Sequence, residues 1–197
     1  MFPKDQKLSC PQLLYSKSTP LSFGSLCEDR LLFPNGKEYT YTSLEGFPRS
    51  VLILAQDQQK RFLIHREYRH SAGKVVLGCP GGLVERGEEL RETAEREFSE
   101  ETGYRVEKLK LMGSSFPLPS FYAQRSFLFY GERAQKVSSP NLDKTEILTT
   151  LAVEEDVLYR WIVEEKREVD AQLCMILFFY WQFSLKERSA TSPAGRE

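Results

Sequence analysis

The chain has 197 residues, 41% hydrophobic and 28% charged, which suits one domain with a sizeable core and leaves room for a small appendage. A formal net charge of -1 gives no global basic field to draw it to nucleic acid or to a membrane surface, so neither is expected as a partner. Cys10, Cys27, Cys79 and Cys174 lack CxxC spacing and the only histidines are His65 and His70, which argues against a zinc site.

Taken in chain order, residues 1–29 hold Pro3, Pro11 and Pro20 and read as an irregular arm with one short strand. No apolar run of signal-peptide type opens them, and the scattered cysteines read as reduced thiols, so a cytoplasmic location is expected. Pro34-Asn35-Gly36 signals a turn, with Arg30–Phe33 and Lys37–Thr42 as a hairpin around it. Ser50–Leu54, Arg61–His65 and Lys74–Leu77 are strand candidates, and Cys79-Pro80-Gly81-Gly82 then breaks the chain. Glu88–Thr102 reads as a helix closed by Gly103.

Arg105–Met112 and Arg125–Tyr130 read as strands around a loop containing Phe116–Ser120. Residues 131–145 are polar and read as a loop, Glu146–Val153 as a strand, and Glu154–Val163 and Val169–Leu185 as helices. The apolar run Cys174–Phe183 is about half the length a bilayer needs and suits a buried helix. Strands followed by helices give a mixed α/β layered fold. The expected division is an N-terminal arm and hairpin over 1–47, a domain over 48–185 and a disordered tail over 186–197.

Eight glutamates fall between residues 85 and 101, a run that would ordinarily be a solvated helix face. The helical wheel argues otherwise. Leu90, Ala94 and Phe98 make an apolar stripe; with Leu90 at zero, Glu97 falls at roughly -20° and Glu101 at roughly +20°, with Glu100 at the border. Buried ions without compensation are costly, and three acids at i, i+3 and i+4 are readily satisfied by one shared cation. Hard oxygen ligands select Mg²⁺, Mn²⁺ or Ca²⁺. Arg96 can orient one carboxylate, and Gly81 and Gly82 let backbone approach a metal or phosphate closely.

Gly82, Glu88, Arg96, Glu97, Phe98, Glu100, Glu101, Gly103 and Tyr104 resemble, position for position, the Nudix box, with Phe98 and Tyr104 in place of the usual aliphatic residues. The resemblance implies an α/β/α sandwich with a mixed sheet, here with the N-terminal β-hairpin as an extension. It also implies Mg²⁺-dependent hydrolysis (Mn²⁺ substituting) of a nucleoside diphosphate linked to another group.

A second resemblance, over roughly residues 30–185, is to the ADP-ribose and nucleoside-diphosphate-sugar pyrophosphatases of that family. NGKEYTY, FLIHREYRH, LGCPGGLVERGE and DKTEILTTLAVEEDVLYRWI carry it. Gly78 stands where that subfamily often has Glu, and Pro117–Gln124 follows its Ser-Pro-Gly segment only loosely. Other sugar nucleotides than ADP-ribose are compatible with these departures.

Through the resemblance, Glu97 and Glu101 are the main metal ligands, Glu100 shares, and the Gly81 carbonyl completes the set. Candidate bases are Glu100 in the box and Asp143 or Glu146 in an acidic loop before the last strand, Glu146 being the better fixed. Arg69 is the foremost phosphate contact, its fork matching phosphate oxygens, with Arg66 and the Gly82 backbone as further substrate contacts. Phe121 and Tyr122 suit either stacking on a base or core filling. The same subfamily implies a homodimer through the N-terminal hairpin. Alternatives are a hydrolase of nucleoside triphosphates or dinucleoside polyphosphates, and a catalytically silent module that senses a nucleotide.

Overall fold

Strands Gln12–Pro20 (β1), Ser25–Leu32 (β2) and Glu38–Glu45 (β3) form an antiparallel three-stranded sheet in order β1-β2-β3. The computed structural model that shows this describes residues 9–46 and 49–191, with backbone alone beyond Leu185. The turn at Pro34-Asn35-Gly36 closes as expected, with the Gly36 N–H donating to the Phe33 carbonyl at 2.9 Å. The arm before it is a correction: it supplies two strands rather than one, and the hairpin gains β1. Every residue of β1 is exposed, so the segment has no inside–outside alternation to read; backbone pairing with β2 makes it a strand. This sheet and residues Leu118–Gln124 belong to one compact unit; Arg49–Pro117 and Arg125–Glu197 make the other.

The second unit is built on β4 (Arg49–Asp57), β5 (Phe62–Arg69), β6 (Lys74–Gly78), β7 (Gly81–Leu83), β8 (Tyr104–Arg105), β9 (Lys108–Ser115), β10 (Arg125–Lys136) and β11 (Leu148–Val153). The path runs β11-β5-β4-β10-β8, with β6 on β5, β7 on β4 and β9 on β10. Only the β4–β10 pair is parallel, so the sheet is mixed. Helix α1 (Leu90–Thr102) covers one face; α2 (Glu155–Tyr159) and α3 (Ala171–Thr191) cover the other. This is the expected α/β/α sandwich.

Alternation along β4 shows why both faces are dry. Val51, Ile53 and Ala55 join Leu63, Ala94, Phe98 and Phe129 on the α1 side. Leu52 and Leu54 join Phe62, Ile64, Leu128 and, from α3, Leu173, Ile176 and Tyr180. Tyr180 meets Phe62 edge to face at 5.1 Å. Each fully buried large side chain contributes roughly 1.5–3 kcal/mol.

Three boundaries differ from the sequence reading. Residues 131–136 continue β10 rather than forming a loop, because Gln135 and Lys136 pair with Arg105 and Tyr104. The helix expected over Glu154–Val163 is one α-helical stretch that widens into a π-helical turn at Arg160–Glu164. Helix α3 runs past Lys186, where a disordered tail was expected, to Thr191; residues 192–197 lie outside the described ones.

Candidate active site

Helix α1 begins at Leu90, with the Glu92 carboxylate accepting the Glu89 N–H at 3.4 Å. It ends at Gly103, whose φ of 73° is left-handed and whose N–H donates to the Ser99 carbonyl at 2.9 Å. The Gly103 carbonyl accepts from Val137 and Ser138, and the Glu100 carbonyl accepts from Asn141 at 2.7 Å. The same short stretch thus places the box carboxylates and anchors the loop that follows β10.

The wheel ranks the acids by burial as the structure does. Glu101 is 6% exposed. The Glu97 side chain is 15% exposed and that of Glu100 43%. Glu101 Oε2 accepts the Gly81 N–H at 2.9 Å, which ties the helix to β7. Burial pushes the Glu101 carboxyl up to about 9; the Gly81 N–H opposes this, and the charges of Glu97, Glu146 and Glu67 add to it. Burial also raises Glu97, against the pull of Arg96. Gly82 has a steric reason: a Cβ there would lie 2.3 Å from the Glu97 carboxyl carbon. A side chain at 82 would displace that carboxylate.

Arg96 does more than orient one acid. Its Nε and Nη2 donate to the two oxygens of Glu88 at 2.9 and 3.1 Å, and Nη1 donates to Glu97 Oε1 at 2.9 Å and Glu100 Oε2 at 3.1 Å. These bonds hold the Glu88 carboxyl down at about 2. Among the described residues no three His, Cys, Asp or Glu side chains stand in ready-made metal-holding geometry. The expected convergence of Glu97, Glu100 and Glu101 is therefore not complete as it stands, because Arg96 draws one oxygen each from Glu97 and Glu100. The donor set nonetheless suits a hard divalent cation. Glu97 and Glu101 are oxygen donors driven toward their neutral form by burial, and a bound cation would restore their charge.

The remaining candidates separate. Arg69 donates to Glu67 at 2.6 Å and lies 3.8 Å from Asp170, so its guanidinium is engaged by carboxylates. Arg66 is exposed and, by strand alternation with Phe62 and Ile64, stands on the α3 side of β5, opposite the face of Leu63. Asp143 and Glu146 form one turn: the Glu146 N–H donates to the Asp143 carbonyl at 3.0 Å, and Glu146 Oε2 accepts the Asp143 N–H at 2.9 Å. The charge of Glu146 raises Glu67, Glu97 and Glu101. A cavity of about 270 Å³ reaches Glu101, with Thr102, Tyr104, Lys136 and Leu148 among its walls.

Two residues escaped the sequence reading. Glu67 is half-buried, raised mainly by burial, and its charge in turn raises Glu101. His65, 1% exposed, lies with Nδ1 3.9 Å from Glu101 Oε2. The signal was available in the alternation Leu63, His65, Glu67, Arg69 once Leu63 is placed inward.

Comparison with known proteins decides the family. The family model of the NUDIX domain matches residues 46–173. The chain belongs to the NUDIX family. It is a Nudix pyrophosphohydrolase, and Nudix hydrolases generally use divalent metals. The chain is 26% identical over 162 residues to the methanol dehydrogenase activator of Bacillus methanolicus, covering 81% of this chain and 86% of that protein. It is 29% identical over 141 residues to the ADP-ribose pyrophosphatase of Bacillus subtilis (strain 168), covering 71% and 75%. The crystal structure of an ADP compounds hydrolase shares the fold with a TM-score of 0.80 at 21% identity, over 92% of this chain and 98% of that one.

Proposed function

We propose that this Nudix hydrolase cleaves the pyrophosphate bond of a nucleoside diphosphate sugar of the ADP-ribose kind, giving a nucleoside monophosphate and a sugar phosphate, with Mg²⁺ or Mn²⁺. The observation that carries the reading is Glu101, a carboxyl buried against the Gly81 N–H beside Glu97, where burial disfavours its charge. The likeness to a pyrophosphatase named for ADP-ribose, over 71% of the chain, supports the substrate class.

Glu97 and Glu101, with Glu100 and the Gly81 carbonyl, are the groups that would hold the metal. When bound, such an ion neutralises phosphate oxygens and lowers the pKa of a coordinated water. Arg96 keeps Glu97 and Glu100 in place and limits their mutual repulsion. Gly82 leaves the room that the Glu97 carboxylate occupies. Glu146 is the favoured base, taking the proton of the attacking water, because it borders β11 and its charge is felt at Glu97 and Glu101. Arg69 would contact phosphate by exchanging part of its hold on Glu67.

Unpaired thiols at all four cysteines support a reducing, cytoplasmic setting, and no helix among the described residues is long and apolar enough to cross a membrane. The exposed edge strand β1, with Leu13, Leu14 and Tyr15 uncovered, supports a homodimer.

A substrate panel with Mg²⁺ tests the reading: ADP-ribose, ADP-glucose, UDP- and GDP-sugars, and nucleoside triphosphates, with products identified. Monophosphate plus sugar phosphate is expected. Turnover confined to triphosphates with release of pyrophosphate, or no turnover of any nucleotide, would overturn it.

A further inference from the structure

His65 is the least satisfied polar group described in this protein. Its ring is 1% exposed, and neither Nδ1 nor Nε2 has a hydrogen-bond partner. A buried polar group without a partner costs roughly 1–3 kcal/mol, so an apolar residue would serve β5 better if filling the core were the only task. Leu63, two residues earlier on the same face, does that task. In either tautomer the imidazole has an N–H to give.

A buried carboxylate stands just beyond hydrogen-bond reach. Nδ1 stands 3.9 Å from Glu101 Oε2, the same oxygen that accepts the Gly81 N–H at 2.9 Å. A shift of about 1 Å would bring the pair to hydrogen-bond distance. We propose that His65 is a positioning residue for the metal site: its Nδ1–H, with the Gly81 N–H, holds Glu101 by Oε2 and so presents Oε1 to the cation. Ligating carboxylates are commonly held by such outer hydrogen bonds, whose loss weakens metal affinity by about 10- to 100-fold. This rests on the assignment of Glu101 as a ligand.

The test is Mn²⁺ titration of the full chain without nucleotide, followed by electron paramagnetic resonance. Three variants separate the roles. H65L keeps an apolar filler of similar size, H65N sets an amide N–H near Nδ1, and H65Q sets one near Nε2. Expected are a loss of about 10- to 100-fold in Mn²⁺ affinity for H65L and H65Q, near-wild-type affinity for H65N, and no lower melting temperature for H65L. Wild-type affinity in H65L, or H65N no better than H65L, overturns the proposal while leaving the ligand assignment standing. Wild-type protein that takes up no Mn²⁺ overturns both. Should a variant fail to fold, ¹⁵N NMR of wild-type His65 with saturating Mg²⁺ decides: a proton on Nδ1 is expected, and a proton on Nε2 alone refutes the proposal.

Discussion

The two faces of the central sheet use the same strands for different ends. Toward α3 the interior is hydrocarbon and aromatic rings: Leu52, Leu54, Phe62, Ile64, Leu173 and Tyr180 pack with hardly a polar atom among them. Toward α1 the apolar patch of Val51, Ile53, Leu63 and Phe98 adjoins buried Glu101 and His65. One face supplies stability with no visible penalty. The other gives up stability to keep a carboxylate and an imidazole dry, and that sacrifice is why we place the chemistry on this side.

Replacing Glu101 by Gln breaks the contrast most severely. Hydrolysis should fall by more than about 100-fold, since even an outer-shell partner of a metal ligand is worth 10- to 100-fold. The variant should melt no lower than the metal-free wild type at pH 8, because the amide removes a charge the site disfavours. Retained activity, measured as product release, would remove Glu101 from the site. Leu173→Ala probes the other face. It should cost about 2–5 kcal/mol in denaturant unfolding and leave kcat per folded molecule unchanged; a loss of kcat would show that α3 shapes the chemistry.

The most gradual effect, smallest per pH unit, is the pH profile of metal-free stability. Glu101, raised from 4.5 to about 9, binds its proton more tightly in the fold than in the unfolded chain, so its contribution is lost as pH climbs between those values. His65, lowered from 6.5 to about 4, works oppositely, and its contribution is lost as pH falls through that lower window. The two offset each other between about pH 4.5 and 6.5, leaving a decline of at most about 1.4 kcal/mol per pH unit from about 6.5 to 9. Melting curves should show this decline in wild type and little of it in E101Q. Saturating Mg²⁺ should level it.

Much of this face was legible because its constraints are local. The i, i+3, i+4 spacing of Glu97, Glu100 and Glu101 fixes their bearing on α1, and Gly103 marks where the helix must stop. What escaped depends on partners distant in sequence. β1 owes its form to β2 alone, residues 131–136 extend because Tyr104 and Arg105 return beside them, and Arg96 is claimed by Glu88 eight residues away. Glu67 and His65 lie in FLIHREYRH, a segment read for its resemblance to the subfamily, where Arg69 drew notice and the inward-facing neighbours did not.

The turn carrying Glu146 is fastened on both sides. Upstream, the Asn141 N–H donates to the Glu100 carbonyl; downstream, the Ile147 carbonyl accepts the Tyr68 N–H at 3.0 Å. The unfastened span is short, and Glu146 sits next to its downstream pin. As the base proposed above, Glu146 would approach a substrate by changing rotamer, an event of picoseconds to nanoseconds, and not by the slow sweep of a long flap. Solvent viscosity should then have little grip on the proton-transfer step.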